Sequence, residues 1–151
     1  MKHLEVGCIG NLPETVELPW GYFESRGCFL DCRGPLIISA KSTWGFFIRV
    51  LTESHDIGDW PSFGRAIPYG VTVEDGAWIG SGSLLAGCLI GVGAIVAAGS
   101  VVRGQMVAPG VMVAGNPARV IAQRDGKTWL YVDPKACGYE RTLDKWPTHG
   151  F

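Results

Sequence analysis

The chain holds three histidines, and His3 and His149 sit near ends that carry no pattern. The third, His55, stands in Thr52-Glu53-Ser54-His55-Asp56, directly after a patterned stretch. An imidazole exchanges its proton near pH 6.5, so at neutral pH it can take one from an attacking hydroxyl. Such a base must be held in one tautomer by a backbone carbonyl or a carboxylate. Asp56, Glu53 and Asp31 are the candidate carboxylates, and the sequence does not choose among them. Position alone does not separate a base from a structural histidine; the element that aims it must do so.

Other chemistries lack their residues. There is no GKS/T phosphate loop, and Gly80-Ser81-Gly82 and Gly91-Val92-Gly93 do not extend to GxGxxG. No GxSxG elbow and no His/Cys cluster at ligand spacing is present, so no metal site is expected. The five cysteines (8, 28, 32, 88 and 137) form no CxxC pair. They read as small buried hydrophobes in a reducing compartment.

The element that positions His55 is written in a period of six. Aliphatic residues recur at Val73, Ile79 and Leu85, then at Ile90, Val96 and Val102, with one step a residue short. Gly80, Ser81, Gly82, Gly91, Gly93, Ala97, Ala98, Gly99 and Ser100 lie between them. Neither a helix (3.6) nor a half-buried strand (2.0) has this period. It marks a parallel β-helix of hexapeptide repeats, an all-β solenoid whose repeats are the sides of a triangular coil. Small residues at the corners let the backbone bend where larger ones collide.

A weaker form of the pattern starts at Cys28, with Cys32, Ile38, Trp44 and Val50 in register. Residues 53–70 break it with prolines, glycines and aromatics, an excursion of the kind that places a binding loop on one face. The expected organisation is a lead-in over 1–27, extended and aromatic, that caps the stack. A β-helix over 28–121 with a loop at 53–70 follows, and then an extension over 122–151 with a short strand at Thr128–Val132. Pro117 is expected to end the stack. The 22 glycines are about twice the usual ~7% share. Hydrophobic residues at 47% against 18% charged argue against disorder. A net charge of −1 gives no general pull toward nucleic acid or acidic membranes. The N-terminal stretch lacks the basic start and apolar run of a secretory signal, and the apolar segment Leu84–Ala98 is too short and glycine-broken for a membrane helix. A cytoplasmic location is the expectation.

The hexads, the Ser54-His55-Asp56 step before a Pro/Phe/Gly loop, and the closing Ala114-Gly115-Asn116-Pro117-Ala118-Arg119-Val120-Ile121 together resemble the hexapeptide-repeat acyltransferases. The nearest branch is the small sugar and polysaccharide O-acetyltransferases, of the maltose/galactoside or colanic-acid/capsule type. The resemblance covers roughly residues 28–124. It implies a left-handed β-helix, a homotrimer, acetyl-CoA as co-substrate in a groove between subunits, and a sugar-like acceptor. It implies His55 as catalytic base. For the donor it implies Trp78, Ser81 and Ala98 along the pantetheine arm, with Pro117 and Arg119 near the nucleotide. Two departures stand out. Arg103-Gly104 replaces the family's frequent Thr-Lys, so Arg103 is the candidate to carry that charge. Ala122-Gln123 stands where a second basic residue is common. Glu24, Asp31, Arg33, Trp60, Phe63 and Arg65 are candidates to line the acceptor site.

Two rivals share the stem. The γ-class carbonic anhydrases need three histidine ligands per zinc, and His55 is the only histidine inside the patterned region. A non-catalytic scaffold would keep the coils and lose the chemistry. N-acylation of an amino sugar or an antibiotic remains an alternative on the same stem.

Overall fold

The structure, a computed structural model, describes residues 7–132. His3, His149, Cys137 and residues 133–151 of the expected extension lie outside the described residues.

Short parallel strands stack into three faces of a prism. The first face holds β1 (Cys8–Ile9), β2 (Phe29–Asp31), β5 (Arg49–Leu51), β10 (Leu84–Ala86) and β13 (Val101–Arg103). The second holds β3 (Leu36–Ile38), β8 (Val71–Val73), β11 (Leu89–Ile90) and β14 (Met106–Val107). The third holds β4 (Thr43–Trp44), β9 (Trp78–Ile79), β12 (Ile95–Val96) and β15 (Val111–Gly115). Chain order passes from first to second to third face in every coil.

The hexad residues are the inner columns. Ile38, Val73, Ile90 and Val107 stack on the second face. Trp44, Ile79, Val96 and Val113 stack on the third. All are buried. Each such side chain contributes about 1.5–3 kcal/mol by leaving water, so the stack is held by its axis. On the first face the column is Leu30, Val50, Leu85 and Val102. Leu30 rather than Cys32 therefore fills the inner position of the first coil. The Arg33-Gly34-Pro35 turn widens that coil's corner, and Cys32 falls beyond the strand, half-buried. The short step from Leu85 to Ile90 recurs from Val102 to Val107, so it belongs to one corner, between first and second faces.

The same corner carries the excursion. Residues after β5 leave the prism as an antiparallel hairpin, β6 (Glu53–His55) and β7 (Ala66–Pro68), with His55 opposite Ala66. The chain rejoins at β8 in register, as Ile38 beside Val73 shows.

At the N-terminal end β1 and a bridge from Val16 to Ile38 begin a partial coil. The expected extended lead-in is interrupted by a short helix, α1 (Trp20–Glu24), that starts after Pro19. Pro19 suits a helix entry because it has no N–H to leave unpaired. Phe23 of α1 is fully buried, edge-on to Trp44 with ring centroids 5.2 Å apart, and closes that end. At the other end parallel stacking stops after β15, but the sheet continues. The chain reverses through the cis Asn116–Pro117 bond. β16 (Ala118–Asp125) then runs back along β15, and β17 (Thr128–Tyr131) along β16, both antiparallel. β16 runs through residue 121 without a break, and Met112, Ile121 and Ala122 form a second small core beneath it.

Candidate active site

The sequence-selected residues fall on two corners of the prism. His55 extends from the first corner on β6, and Arg103 ends β13 at the same corner. Ser81, Ala98 and Pro117 lie at the third corner, between third and first faces, on successive coils. Trp78 points half-buried from the third face between Thr43 and Ile95, and Arg119 sits on β16 of that face. A three-residue strand of the first face, roughly 10 Å at ~3.3 Å per residue, separates the two groups. One chain does not bring them together.

His55 is exposed, and among the described residues its imidazole has no hydrogen-bond or ion-pair partner. The three candidate carboxylates serve arginines instead. Asp56 pairs with Arg65 across the hairpin and also accepts the Gly58 N–H at 2.8 Å. Arg65 reaches Asp59 at 3.5 Å as well. Glu53 faces the Arg33 guanidinium at 3.6 Å. Asp31 is fully buried and takes Arg33 in a two-pronged grip, Nε to Oδ1 at 2.8 Å and Nη2 to Oδ2 at 3.1 Å. Burial pushes the Asp31 carboxyl up, but the hydrogen bonds and charge of Arg33 outweigh it and hold the group below the usual carboxylate range. Asp31 in turn holds the Arg33 guanidinium charged to higher pH than usual.

A residue that sequence reasoning passed over ties this network to the hairpin. The buried Thr52 hydroxyl donates to the Asp31 carbonyl at 2.9 Å and accepts the Gly34 N–H at 2.9 Å. It thereby fixes the strand end just before Glu53. Its only sequence signal is its place beside the Glu-Ser-His-Asp run.

The third corner is built for close approach. A Cβ on Gly80 would meet the Ala98 nitrogen at 2.5 Å and the Val96 oxygen at 2.7 Å. The Ser81 hydroxyl accepts the Phe46 N–H at 2.9 Å, and Gly99 N–H donates to the Ser81 carbonyl at 2.8 Å. The backbone N–H groups of Ser81 and Ala98 find no acceptor among the described residues, and both residues are exposed. Two free donors therefore stand one coil apart on an open edge. Buried Ser83 and Ser100 satisfy corner carbonyls from inside, each donating to Ala97 O.

Of the remaining candidates, Trp60 and Phe63 stack edge-to-face at the hairpin tip, ring centroids 5.9 Å apart, and Glu24 lies on α1. Arg103 is exposed and has no ion pair among the described residues, and Arg119 donates to the Ala118 carbonyl at 3.0 Å. Ala122, where the family often has a basic residue, is fully buried. No group of three or more His, Cys, Asp or Glu suited to a metal occurs among the described residues. No helix among them is long and apolar enough to cross a membrane.

No family model and no curated protein matches the sequence. Solved structures do. The maltose O-acetyltransferase of Clostridium difficile 630 aligns over 59% of this chain at 28% identity and a TM-score of 0.53. The chain has a left-handed parallel β-helix fold of hexapeptide repeats, and in this it is similar to that acetyltransferase. A variant of AntD, an N-acyltransferase from Bacillus cereus, in complex with coenzyme A and dTDP-4-amino-4,6-dideoxyglucose, shares that fold. It aligns over 61% of the hexapeptide-repeat chain at 20% identity and a TM-score of 0.54. The hexapeptide-repeat chain spans about half of each relative, 49% and 54% of their lengths.

Proposed function

We propose that this chain moves an acetyl group from acetyl-CoA to a hydroxyl of a sugar or related small acceptor in the cytoplasm, with His55 as general base and no metal. The observation that supports it most is His55 itself. It is an exposed imidazole with no hydrogen-bond or ion-pair partner among the described residues, on a braced hairpin, beside a stem 28% identical to that of a maltose O-acetyltransferase.

The acceptor hydroxyl attacks the thioester carbonyl while His55 takes its proton; coenzyme A leaves as the thiol, receiving that proton from the imidazolium. The pantetheine arm is a chain of amides, and the free Ser81 and Ala98 N–H groups offer it donors along the third corner. Arg103, Pro117, Arg119 and Trp78 complete the donor contacts in this reading. Trp60 and Phe63 present an aromatic surface for the acceptor ring.

Because one chain holds His55 and the donor corner apart, the reaction needs the first corner of one copy against the third corner of another. A homotrimer supplies three such clefts. The outward column Ile37, Thr72, Leu89 and Met106 on the second face, with Ile37 49% and Met106 72% exposed, offers apolar area for subunit contact.

Thiol release from acetyl-CoA, measured with a panel of sugars and amino sugars, tests the reading. Acetyl transfer to a sugar hydroxyl, lost in His55→Ala with the assembly intact, supports it. Equal turnover in wild type and His55→Ala removes the base, and turnover with amines alone replaces O- by N-acylation.

A further inference from the structure

Cys8 and Cys32 play no part in the chemistry above, yet their Sγ atoms lie 3.8 Å apart. They are 24 positions apart in sequence and meet because β1 pairs with β2, Cys8 beside Leu30 and Ile9 beside Asp31. Both thiols are half-buried and free. Among the described residues β1 is the outermost strand of its sheet and is bonded on one side only. It is flanked by Gly7 and Gly10, both in the left-handed region with φ of 103° and 92°. Two hydrogen bonds hold β1 to β2, Leu30 N–H to the Gly7 carbonyl and Cys32 N–H to the Ile9 carbonyl, each at 2.8 Å. Closing the sulfurs to a bond of ~2.05 Å asks for a movement under about 2 Å.

From this juxtaposition we propose that Cys8 and Cys32 form a reversible disulfide that clamps the N-terminal partial coil to the stem. The oxidant is a small-molecule disulfide such as oxidised glutathione. The Cys8 thiolate attacks one glutathione sulfur and releases one glutathione thiolate. Cys32 then loses its proton and attacks the Cys8 sulfur of the mixed disulfide, releasing the second glutathione. Two protein thiols are oxidised and one glutathione disulfide is reduced. Burial, and then the Cys8 thiol, push the Cys32 thiol up to about 12. Cys8 lies on the edge strand β1, which places it to meet the glutathione disulfide first. The ring so formed spans residues 8–32 and contains α1 with its buried Phe23. Cross-linking it removes freedom from the unfolded chain rather than adding native contacts.

Cys28 and Cys88 are buried and stand apart from this pair; burial pushes Cys88 up to about 12 and raises Cys28. They are the internal controls.

The full chain is reduced, incubated folded with oxidised glutathione, and followed by intact mass, peptide mapping and thermal unfolding. Wild type should lose two hydrogens without retaining glutathione and show a Cys8–Cys32 cross-link. Its unfolding midpoint should rise by about 5–10 °C and return with dithiothreitol. Cys28 shares a tryptic peptide with Cys32, so Cys28→Ala must keep the link, whereas Cys8→Ser and Cys32→Ser must lose it. Glutathione retained on either sulfur, a link to any other cysteine, or a link that leaves the midpoint unmoved would overturn the proposal. The wild-type map decides even where a serine variant folds poorly.

Discussion

Asp56 gives its carboxylate to Arg65 across the hairpin, and the adjacent His55 has no acidic partner among the described residues. The pairing holds β6 against β7 at their open ends, so the arginine sets where the imidazole stands. An exposed base whose imidazole has no hydrogen-bond or ion-pair partner among the described residues contributes little to folding, which separates its effect on rate from its effect on stability.

His55→Asn should therefore lower kcat for acetyl transfer by about 10²–10⁴ while the unfolding midpoint stays where it is in wild type. Parallel thiol-release kinetics and thermal unfolding check this. A midpoint that falls along with the rate would make His55 structural.

Asp31→Asn should weaken the first corner. The Asp31 carboxyl is held below its unfolded value near 3.9 by Arg33, against the upward push of burial. A depressed folded pKa gives stability that is present above the unfolded pKa and lost as pH falls through the folded one. The variant should lose about 1–3 kcal/mol near neutrality, and the gap to wild type should narrow as pH falls below 4. Urea unfolding at pH 7 and pH 3 measures it; an equal gap at both would dissociate the effect from ionisation.

Gly80→Ala should cost about 1–3 kcal/mol, because its Cβ meets backbone of the next coil at 2.5 Å and cannot be relieved by a rotamer change. Gly64→Ala, in the hairpin loop with nothing within 4 Å, is the matched control and should leave stability level or slightly raised. Chemical denaturation of both variants distinguishes corner packing from a general glycine effect.

Ala98→Glu should raise the KM for acetyl-CoA about tenfold or more with a smaller change in kcat. It adds a carboxylate and bulk beside the free Ala98 N–H without touching the buried columns. Initial rates at varied acetyl-CoA check it, and an unchanged KM would move the donor away from the third corner.

What the sequence determined by itself is the solenoid. Each inner residue is chosen by a local rule, one branched side chain per short strand with small residues at the bend, so Val73, Ile79, Leu85, Ile90, Val96 and Val102 could be read off the chain in order and all are buried. The short step before Ile90 was also visible as a slip. Its meaning was not, since only stacking shows that the step before Val107 lies on the same corner. Tertiary structure decided the rest. Leu30 rather than Cys32 fills the first coil because the pairing of β2 with β5 sets the column, and that pairing joins residues some 20 positions apart. The choice among Asp31, Glu53 and Asp56 went to arginines that a chain order cannot rank, because an ion pair depends on where two backbones pass. The separation of His55 from Ser81 and Ala98, and the meeting of Cys8 with Cys32, follow from the same cause. Periodicity records what a residue does to its own coil, whereas neighbours across coils and corners exist only once the prism is wound.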